Sequence, residues 1–531
     1  MAETPNIEED TVAARTGEQY LAGLKDEREV WLGSERVDIT THPAFAGSLA
    51  GMAGYFDYQH KYADDCLTVD PETGQEHNVS LLRPRNEEDL QRRHRAFDRL
   101  ARYSNGMLGR TPDYVNVVLA GHASRTDIYD RSGDPVYAQR LVNYWREVQE
   151  KDLALTHTIT HAAIDKSVGE LQGMNENLTL RVVERREDGL VVRGAKMIAT
   201  LGPIADELYV YPATPIQKGF EHYALSFAIP VASPGVVQVC RDHYGVDQAP
   251  EDRPFSSRFD EQDAVVIFDD VFVPFERVFI DGDLGVYNAV NAATATGSTQ
   301  QQTAIRASVK LEFAYDVCVQ MAKVTGTEAK PETAALLGEI YSYLRIARSV
   351  VRDSEARGSD WGNGAFFCHD DISALRTMMP VWMIRVNEII KTMGSHNLLA
   401  TPTAAAFEDP RLGPLLRTYL PGAGGISAEE RARIFRTAWD FAGSALGGRI
   451  ELYERFYLGS IARARGLDHK KAQAKGETGA YAAMFQEIAD ARAAQAGEGT
   501  QAGQGTRPDA ASSGNAESLA SGAAQTALAG A

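Results

Sequence analysis

Cysteine is scarce. Cys66, Cys240, Cys318 and Cys368 are spread across 531 residues with no pair at close spacing. That pattern suggests neither a thiolate metal site nor a disulfide framework, and no metal is expected. Positive charge is in deficit: the net charge is −19. Nucleic acid and anionic membranes require a basic footprint, so neither is expected as a partner. No apolar run approaches the ~18–20 residues of a membrane span. The acidic start, Met1-Ala2-Glu3-Thr4-Pro5, has no signal-peptide core. G-x-G-x-x-G and P-loop patterns are both missing, so nothing in the sequence looks able to bind a nicotinamide dinucleotide. A reduced, cytoplasmic enzyme is the class that remains.

What is present is enough apolar residue, 44% against 24% charged, to build a sizeable core. Thr16 and Gln19 form a capping-box pattern ahead of Tyr20, Leu21 and Leu24. Residues 43–66 are apolar and Gly-rich and read as broken helix. Residues 86–104 give an amphipathic helix with acids first, as the helix dipole favours. Helices continue through 135–155. From Thr156 the pattern becomes β, with Glu187-Asp188-Gly189 as a hairpin turn and six or seven short strands up to Phe268. Helical periodicity returns near Asn288. Stripes run through Leu336, Ile340, Leu344, Ala347 and Val351, then through Leu375, Met379, Trp382, Val386, Ile389 and Met393. Ser427 and Glu430 form another capping box. After about residue 493 only Leu519 and Leu528 remain as large aliphatics. Such a tail cannot offset its ordering entropy, so disorder is expected over 493–531.

The expected architecture is mainly α with a central β domain. An N-terminal helical domain spans 1–155, a small β-barrel 156–284 and a C-terminal four-helix bundle 285–492. This order of helices, β block and helical bundle is that of the acyl-CoA dehydrogenase-like flavoproteins.

The most suggestive stretch is Gly109-Arg110-Thr111-Pro112-Asp113-Tyr114. Pro112 pushes Thr111 out of the helical region and Asp113 suits a turn. Arg110 and Tyr114 are thereby held four residues apart. A guanidinium beside a phenolic O–H suits an anionic or developing-oxyanion ligand. Further motifs follow in order: Thr156-His157-Thr158, 194–200, Ser256–Glu261, Asp270–Glu276, and Gly443-Ser444-x-x-Gly447-Gly448-Arg449-x-Glu451-Leu452-Tyr453-Glu454.

In these motifs, over about residues 16–480, the sequence resembles the 4-hydroxyphenylacetate 3-monooxygenase family, the oxygenase components of two-component flavin monooxygenases. The resemblance implies FAD used in reduced form, delivered by a separate NAD(P)H:flavin reductase. O2 is the co-substrate, and a C4a-hydroperoxyflavin ortho-hydroxylates a small phenol in aromatic catabolism. It implies Arg110, Tyr114 and His157 as catalytic and substrate-contacting residues. His157 is expected on the phenol hydroxyl because imidazole titrates near neutral pH. Flavin contacts are implied at His157, Thr158, Ile159, Ala163, Lys166 and Thr200. They are also implied at Ser444, Ala445, Leu446, Gly447 and Gly448, where glycines let a phosphate or ribose approach the backbone. His122 and His161 are expected to be structural or exposed. The family loop after the His carries Asn-Pro-Gln; this chain has His161-Ala162-Ala163, which takes away the Gln amide. Thr214 is expected in the substrate lid of 211–220. That loop holds one cation, Lys218, and so favours a neutral or small phenol. A homodimer or homotetramer is also implied.

Three alternatives carry different chemistry. A 4-hydroxybutyryl-CoA dehydratase-like enzyme would need Cys and His cluster ligands, and residues 86–120 hold no cysteine. An acyl-CoA dehydrogenase would need a base such as Glu451 or Glu454. A non-catalytic flavin-binding homologue would use neither set.

Overall fold

The computed structural model describes residues 14–70, 73–162, 178–245, 249–456 and 459–501. Contacts group the chain into one compact unit ending at Gly466 and a second beginning at Leu467.

Local sequence sets several element ends. The Gly17–Gly23 helix starts on the Thr16 capping box. The Glu87–Tyr103 helix is capped by Asn86, and the Ala428–Ala442 helix by Ser427. Pro331 opens the helix that runs to Ala356, where its missing N–H removes no bond. The Pro43–Lys61 helix carries Gly47 and Gly51 on one face. A Cβ at either would lie about 2 Å from a backbone oxygen, that of Ser257 or of Arg258. These glycines therefore permit close packing, and they do not break the helix.

The β region is two sheets. One has six strands in the order Glu35–Arg36, Glu29–Leu32, Val236–Cys240, Asp263–Pro274, Gly189–Thr200, Arg181–Arg185. The other runs Val278–Asp281, Leu225–Pro230, Glu207–Val210, Leu155–His157. Leu190, Val192, Val266 and Phe268 of the first share a core with Leu208, Val210, Phe227 and Ile229 of the second. The expected small barrel is therefore corrected: no closed barrel is present among the described residues, because each sheet ends on strands with one neighbour. Sheet-on-sheet packing buries the inner faces without closure. A second difference concerns the segment read as purely helical. Glu29–Leu32 pairs parallel with Val236–Cys240, so the N-terminal region contributes two strands to this sheet, and Leu67–Val69 pairs with Glu76–Asn78 in a separate hairpin. Gly33, with φ of +63°, makes the tight turn between them. The 12-residue Gly189–Thr200 strand runs unbroken through Gly194.

The helices Gln300–Thr325, Pro331–Ala356, Ser373–Ala400 and Ala428–Ala442 pack around one core that includes Leu311, Ile340, Leu344, Val386, Ile389 and Phe435. Ile340, Leu344, Ala347 and Val351 are buried as their spacing requires. All four cysteines are free thiols and buried. No helix among the described residues is long and apolar enough to cross a membrane.

In the unit that begins at Leu467, a helix spans Ala480–Gln501. Disorder was expected from 493; the helix extends to Gln501, its part past 493 beginning with the strong helix formers Ala493, Ala494, Gln495 and Ala496. Residues 502–531 lie outside the described residues.

Candidate functional site

The hexapeptide is the entrance to a buried helix. Thr111 is extended (φ −51°, ψ 154°) and Pro112 occupies the first turn of the Pro112–Ser124 helix, whose residues are all buried. Asp113 does more than shape a turn. Its carboxylate accepts from Tyr55 Oη at 3.1 Å and Gln302 Nε2 at 2.8 Å. Burial raises its pKa. Tyr114 is thus fixed on the first turn, and the Arg110 guanidinium carbon lies 3.9 Å from its ring centroid, within cation–π range.

His157 arrives from another direction. The Leu155–His157 strand pairs parallel with Glu207–Val210, placing His157 opposite Tyr209. Arg110 Nε donates to His157 Nε2 at 3.3 Å. An arginine can only donate, so Nε2 is the acceptor and Nδ1 carries the proton. Nδ1 then donates to Tyr211 Oη at 2.6 Å. The rings of Tyr114 and Tyr211 stand edge-on to the imidazole at 5.5 and 5.4 Å. Arg110, Tyr114, His157 and Tyr211 are all buried. Tyr211 was absent from the sequence-based site. Its signal was modest: a tyrosine one residue beyond an apolar strand, at the mouth of the expected lid.

Burial, and secondarily Arg110, holds the His157 pKa well below the usual imidazole range. The ring stays neutral through the neutral pH range, where the sequence suggested that it titrates. His122 and His161 are both buried. His122 Nδ1 bonds Tyr209 Oη at 2.7 Å, behind Tyr211. Burial pushes its pKa down to about 3. His161 Nδ1 accepts from Lys196 Nζ at 3.3 Å. Burial and then that ammonium push its pKa down to about 2. Burial also lowers His77.

These four imidazoles give a pH prediction. Each folded pKa lies below the unfolded value of about 6.5, so each stabilises above that pH and loses its contribution as pH falls. His94 works the other way: burial, the largest single influence, lowers its pKa, but the Glu355 hydrogen bond together with the charges of Glu355 and Asp98 raises it overall. Its contribution is therefore lost as pH rises, but it is one group against four. Tm should fall between pH 7 and 5, with protons taken up on unfolding. A Tm flat or rising over that range, read by calorimetry in buffers of different ionisation heat, contradicts this.

Three distant segments meet behind Arg110. Glu261 is fully buried. Its Oε1 accepts the backbone N–H groups of Gly109 and Arg110, each at 2.6 Å. Its Oε2 accepts from Arg449 Nη1 at 2.6 Å. Arg449 also forks onto Asp263 at 2.9 and 2.6 Å. Asp263 accepts from Thr200 Oγ1 at 2.8 Å. Tyr453 lies between the two guanidiniums, whose carbons are 5.2 Å (Arg110) and 4.4 Å (Arg449) from its ring centroid.

The expected flavin positions are placed as follows. Thr158 is buried, and its Oγ1 has no hydrogen-bond partner among the described residues. His161 Nε2 is likewise buried without one. Ile159 is partly buried and packs against the cluster that contains Tyr114. Thr200 is committed to Asp263 through its hydroxyl. Ser444 Oγ accepts from Gly447 N at 3.0 Å, so Ser444 caps the Ala445–Phe456 helix. Leu446 is buried in the helical core. A Cβ at Gly447 would meet Phe441 O at 2.8 Å, whereas Gly448 has open space around it and Ala445 is exposed. Ala163 and Lys166 lie outside the described residues. Thr214 Oγ1 accepts from Arg463 Nη1 at 3.3 Å. Arg463 is a second cation at the 211–220 loop, where the sequence showed only Lys218. Long-range packing brought it there, so the loop does not argue for a neutral phenol.

The carboxylates considered as dehydrogenase bases are both paired. Glu454 is buried and takes a fork from Arg306 at 2.9 and 2.9 Å and Lys310 Nζ at 3.0 Å. Burial opposes ionisation, but these cations hold its carboxyl down at about 2. Glu451 bonds Arg455 at 3.0 Å and Asn387 at 3.2 Å.

A mainly helical chain with central sheets, and a buried guanidinium–imidazole–phenol cluster between them, defines the class. Residues 16–280 match the model of the 4-hydroxyphenylacetate 3-hydroxylase N terminal region, and residues 287–486 that of its C terminal region. The chain belongs to this family, the oxygenase components of two-component FAD-dependent hydroxylases. It is 37% identical over 458 residues to the 4-hydroxyphenylacetate 3-monooxygenase oxygenase component of Thermus thermophilus, covering 85% of this chain and 93% of that protein. The 4-nitrophenol 2-monooxygenase oxygenase component of a Rhodococcus species is 32% identical, with 84% and 86% covered. Among solved structures, an oxygenase component complexed with FAD and 4-hydroxyphenylacetate superposes with a TM-score of 0.84. It is 35% identical and covers 90% of this chain and all of that one. A 4-hydroxybutyryl-CoA dehydratase from N. maritimus shares the fold, with a TM-score of 0.80 at 19% identity.

Proposed function

We propose that this chain is the oxygenase component of a two-component system that uses reduced FAD and O2 to hydroxylate a phenol ortho to its hydroxyl. The observation that carries this reading is the buried Arg110–His157–Tyr211 chain beside Tyr114, on a chain of this family. Bound reduced FAD supplies two electrons and, with O2, the oxygen atom that is transferred. The residues fit such a group. Thr158 Oγ1 and His161 Nε2 are buried polar atoms without partners among the described residues, a costly state that a polar ligand edge would relieve. Thr158, Ile159 and the start of the Ala445–Phe456 helix are the positions proposed to hold it, with Ala163, Lys166 and Thr200 by family resemblance.

The chain's own residues divide the remaining work. Arg110 favours negative charge on the phenol oxygen, which enriches the ring in electrons at the ortho carbon. His157, kept neutral, has one lone pair, on Nε2, which accepts the phenol proton when Arg110 Nε turns from that nitrogen to the phenol oxygen. Tyr211 fixes its tautomer through Nδ1. The aromatic ring of Tyr114 backs the guanidinium. Burial of all four excludes water that would quench an oxygen-transfer reagent.

The domain boundaries 1–155, 156–284, 285–492 and 493–531, and the acyl-CoA dehydrogenase-like architecture, belong to the same proposal. So do a cytoplasmic location and a homodimer or homotetramer. Exposed Leu399, Tyr419, Leu452 and Phe456 support assembly, and light scattering of the purified chain tests it. The functional test supplies FADH2 from a separate flavin reductase, with O2 and a panel of 4-hydroxyphenylacetate, 4-nitrophenol and phenol. The expected product is the ortho-dihydroxy compound from at least one of them. Hydrogen peroxide as the sole product with every phenol sinks the reading.

A further inference from the structure

We propose that Arg449 and Glu261 are positioning residues for hydroxylation, acting through the Gly109–Arg110 peptide. The inference rests on the reading of Arg110 as the group that favours the phenolate. Neither residue is placed against substrate. What they do is fix the backbone from which Arg110 projects.

Glu261 grips consecutive amides with a single oxygen, at 2.6 Å each, distances typical of short charge-assisted bonds. These two N–H groups stand just before a helix whose first residue is proline, where no intrahelical acceptor serves them. A buried carboxylate in that place needs a counter-charge. Arg449 provides it at Oε2, so that charge is already matched within the clasp. Arg449 is itself oriented by the fork onto Asp263, which Arg241 Nε also bonds, at 3.1 Å. Tyr453, one helical turn beyond Arg449, closes the opposite side: a Cβ at Gly109 would lie 2.4 Å from its ring. The peptide is pinned between a carboxylate and an aromatic ring, both carried or charge-matched by the Ala445–Phe456 helix. The Gly-Gly-Arg segment thereby sets the aim of Arg110 toward His157. A shift of about 1 Å in such a group can lower turnover by about 10²-fold.

The test reads the protonation of a bound phenol. 4-Nitrophenol changes absorbance on ionisation, so its apparent pKa when bound can be followed across pH. Wild type should lower that pKa. In Arg449→Ala the bound phenol should be about tenfold less ionised at a given pH. Arg449→Lys and Glu261→Gln should fall between, and they carry the test if Arg449→Ala does not fold. In an Arg110→Ala background, Arg449→Ala should add less than about twofold, because its route is already gone. Folded variants with wild-type titration and only a lower Tm overturn the proposal, as does full additivity with Arg110→Ala. If the wild-type protein hydroxylates no phenol of the panel, the functional reading fails first and takes this inference with it; if it binds and hydroxylates a phenol other than 4-nitrophenol, the titration is read on the phenolate absorbance of that one.

Discussion

Arg110→Ala should fold, and should lose at least about 10²-fold in phenol hydroxylation, the usual effect of deleting one donor to a developing anion. The side chain is buried, with its Nε on His157 and its carbon over Tyr114. Its backbone N–H, however, is held by Glu261, a bond that alanine keeps. The turn should therefore survive and the chemistry should not. Removing the guanidinium also takes away one of the two influences that hold the His157 pKa down, leaving burial as the larger one. The imidazole should then remain neutral at pH 7 but lack an orienting donor on Nε2. The measurement is product formed per FADH2 supplied, with peroxide counted in parallel. Oxygen consumption should shift from product to peroxide. Product yield within threefold of wild type, in a protein of unchanged circular dichroism, would return Arg110 to a structural role.

Glu454→Gln should be the most damaging change to stability, by about 3–5 kcal/mol, the range seen when one partner of a buried ion cluster is removed. Arg306, Lys310 and Glu454 are all within 4% exposure of fully buried. Glutamine keeps the shape but leaves two cations without their counter-charge. Lys310 can shed its proton, because burial already lowers its pKa, but arginine cannot. Arg306 Nη1 also donates to Gly106 O at 2.7 Å, so the loss reaches the chain just ahead of the Gly109–Arg110 turn. Urea unfolding followed by circular dichroism measures the effect. A loss under about 1 kcal/mol would show that the cluster is not a structural tie.

How far the sequence could be read depended on the range of the interaction involved. The capping residues Thr16 and Ser427 marked helix starts because caps act within a single turn. The stripe from Ile340 to Val351 was legible because helical periodicity maps directly onto burial. The Ala480–Gln501 helix crosses the expected boundary at 493 by a few residues, because hydrophobic content, from which that boundary was read, does not record helix propensity. Residues 29–36 were missed because their partner strand, Val236–Cys240, is some two hundred positions away.

The site divides in the same way. Arg110, Tyr114 and His157 were picked out as candidates from the sequence, through motifs whose order and residue types resemble those of the family, and the fold brings the three side chains together. That His157 is neutral, that Tyr211 holds its Nδ1, and that Arg463 reaches the 211–220 loop were decided only by the tertiary structure. So was the clasp of Glu261, Arg449 and Asp263 behind the Gly109–Arg110 peptide. The physical reason is common to all four: a protonation state or an ion-pair partner depends on burial and on charges within a few ångströms. Both are set by chain segments up to about 340 positions apart in sequence, which no local pattern records.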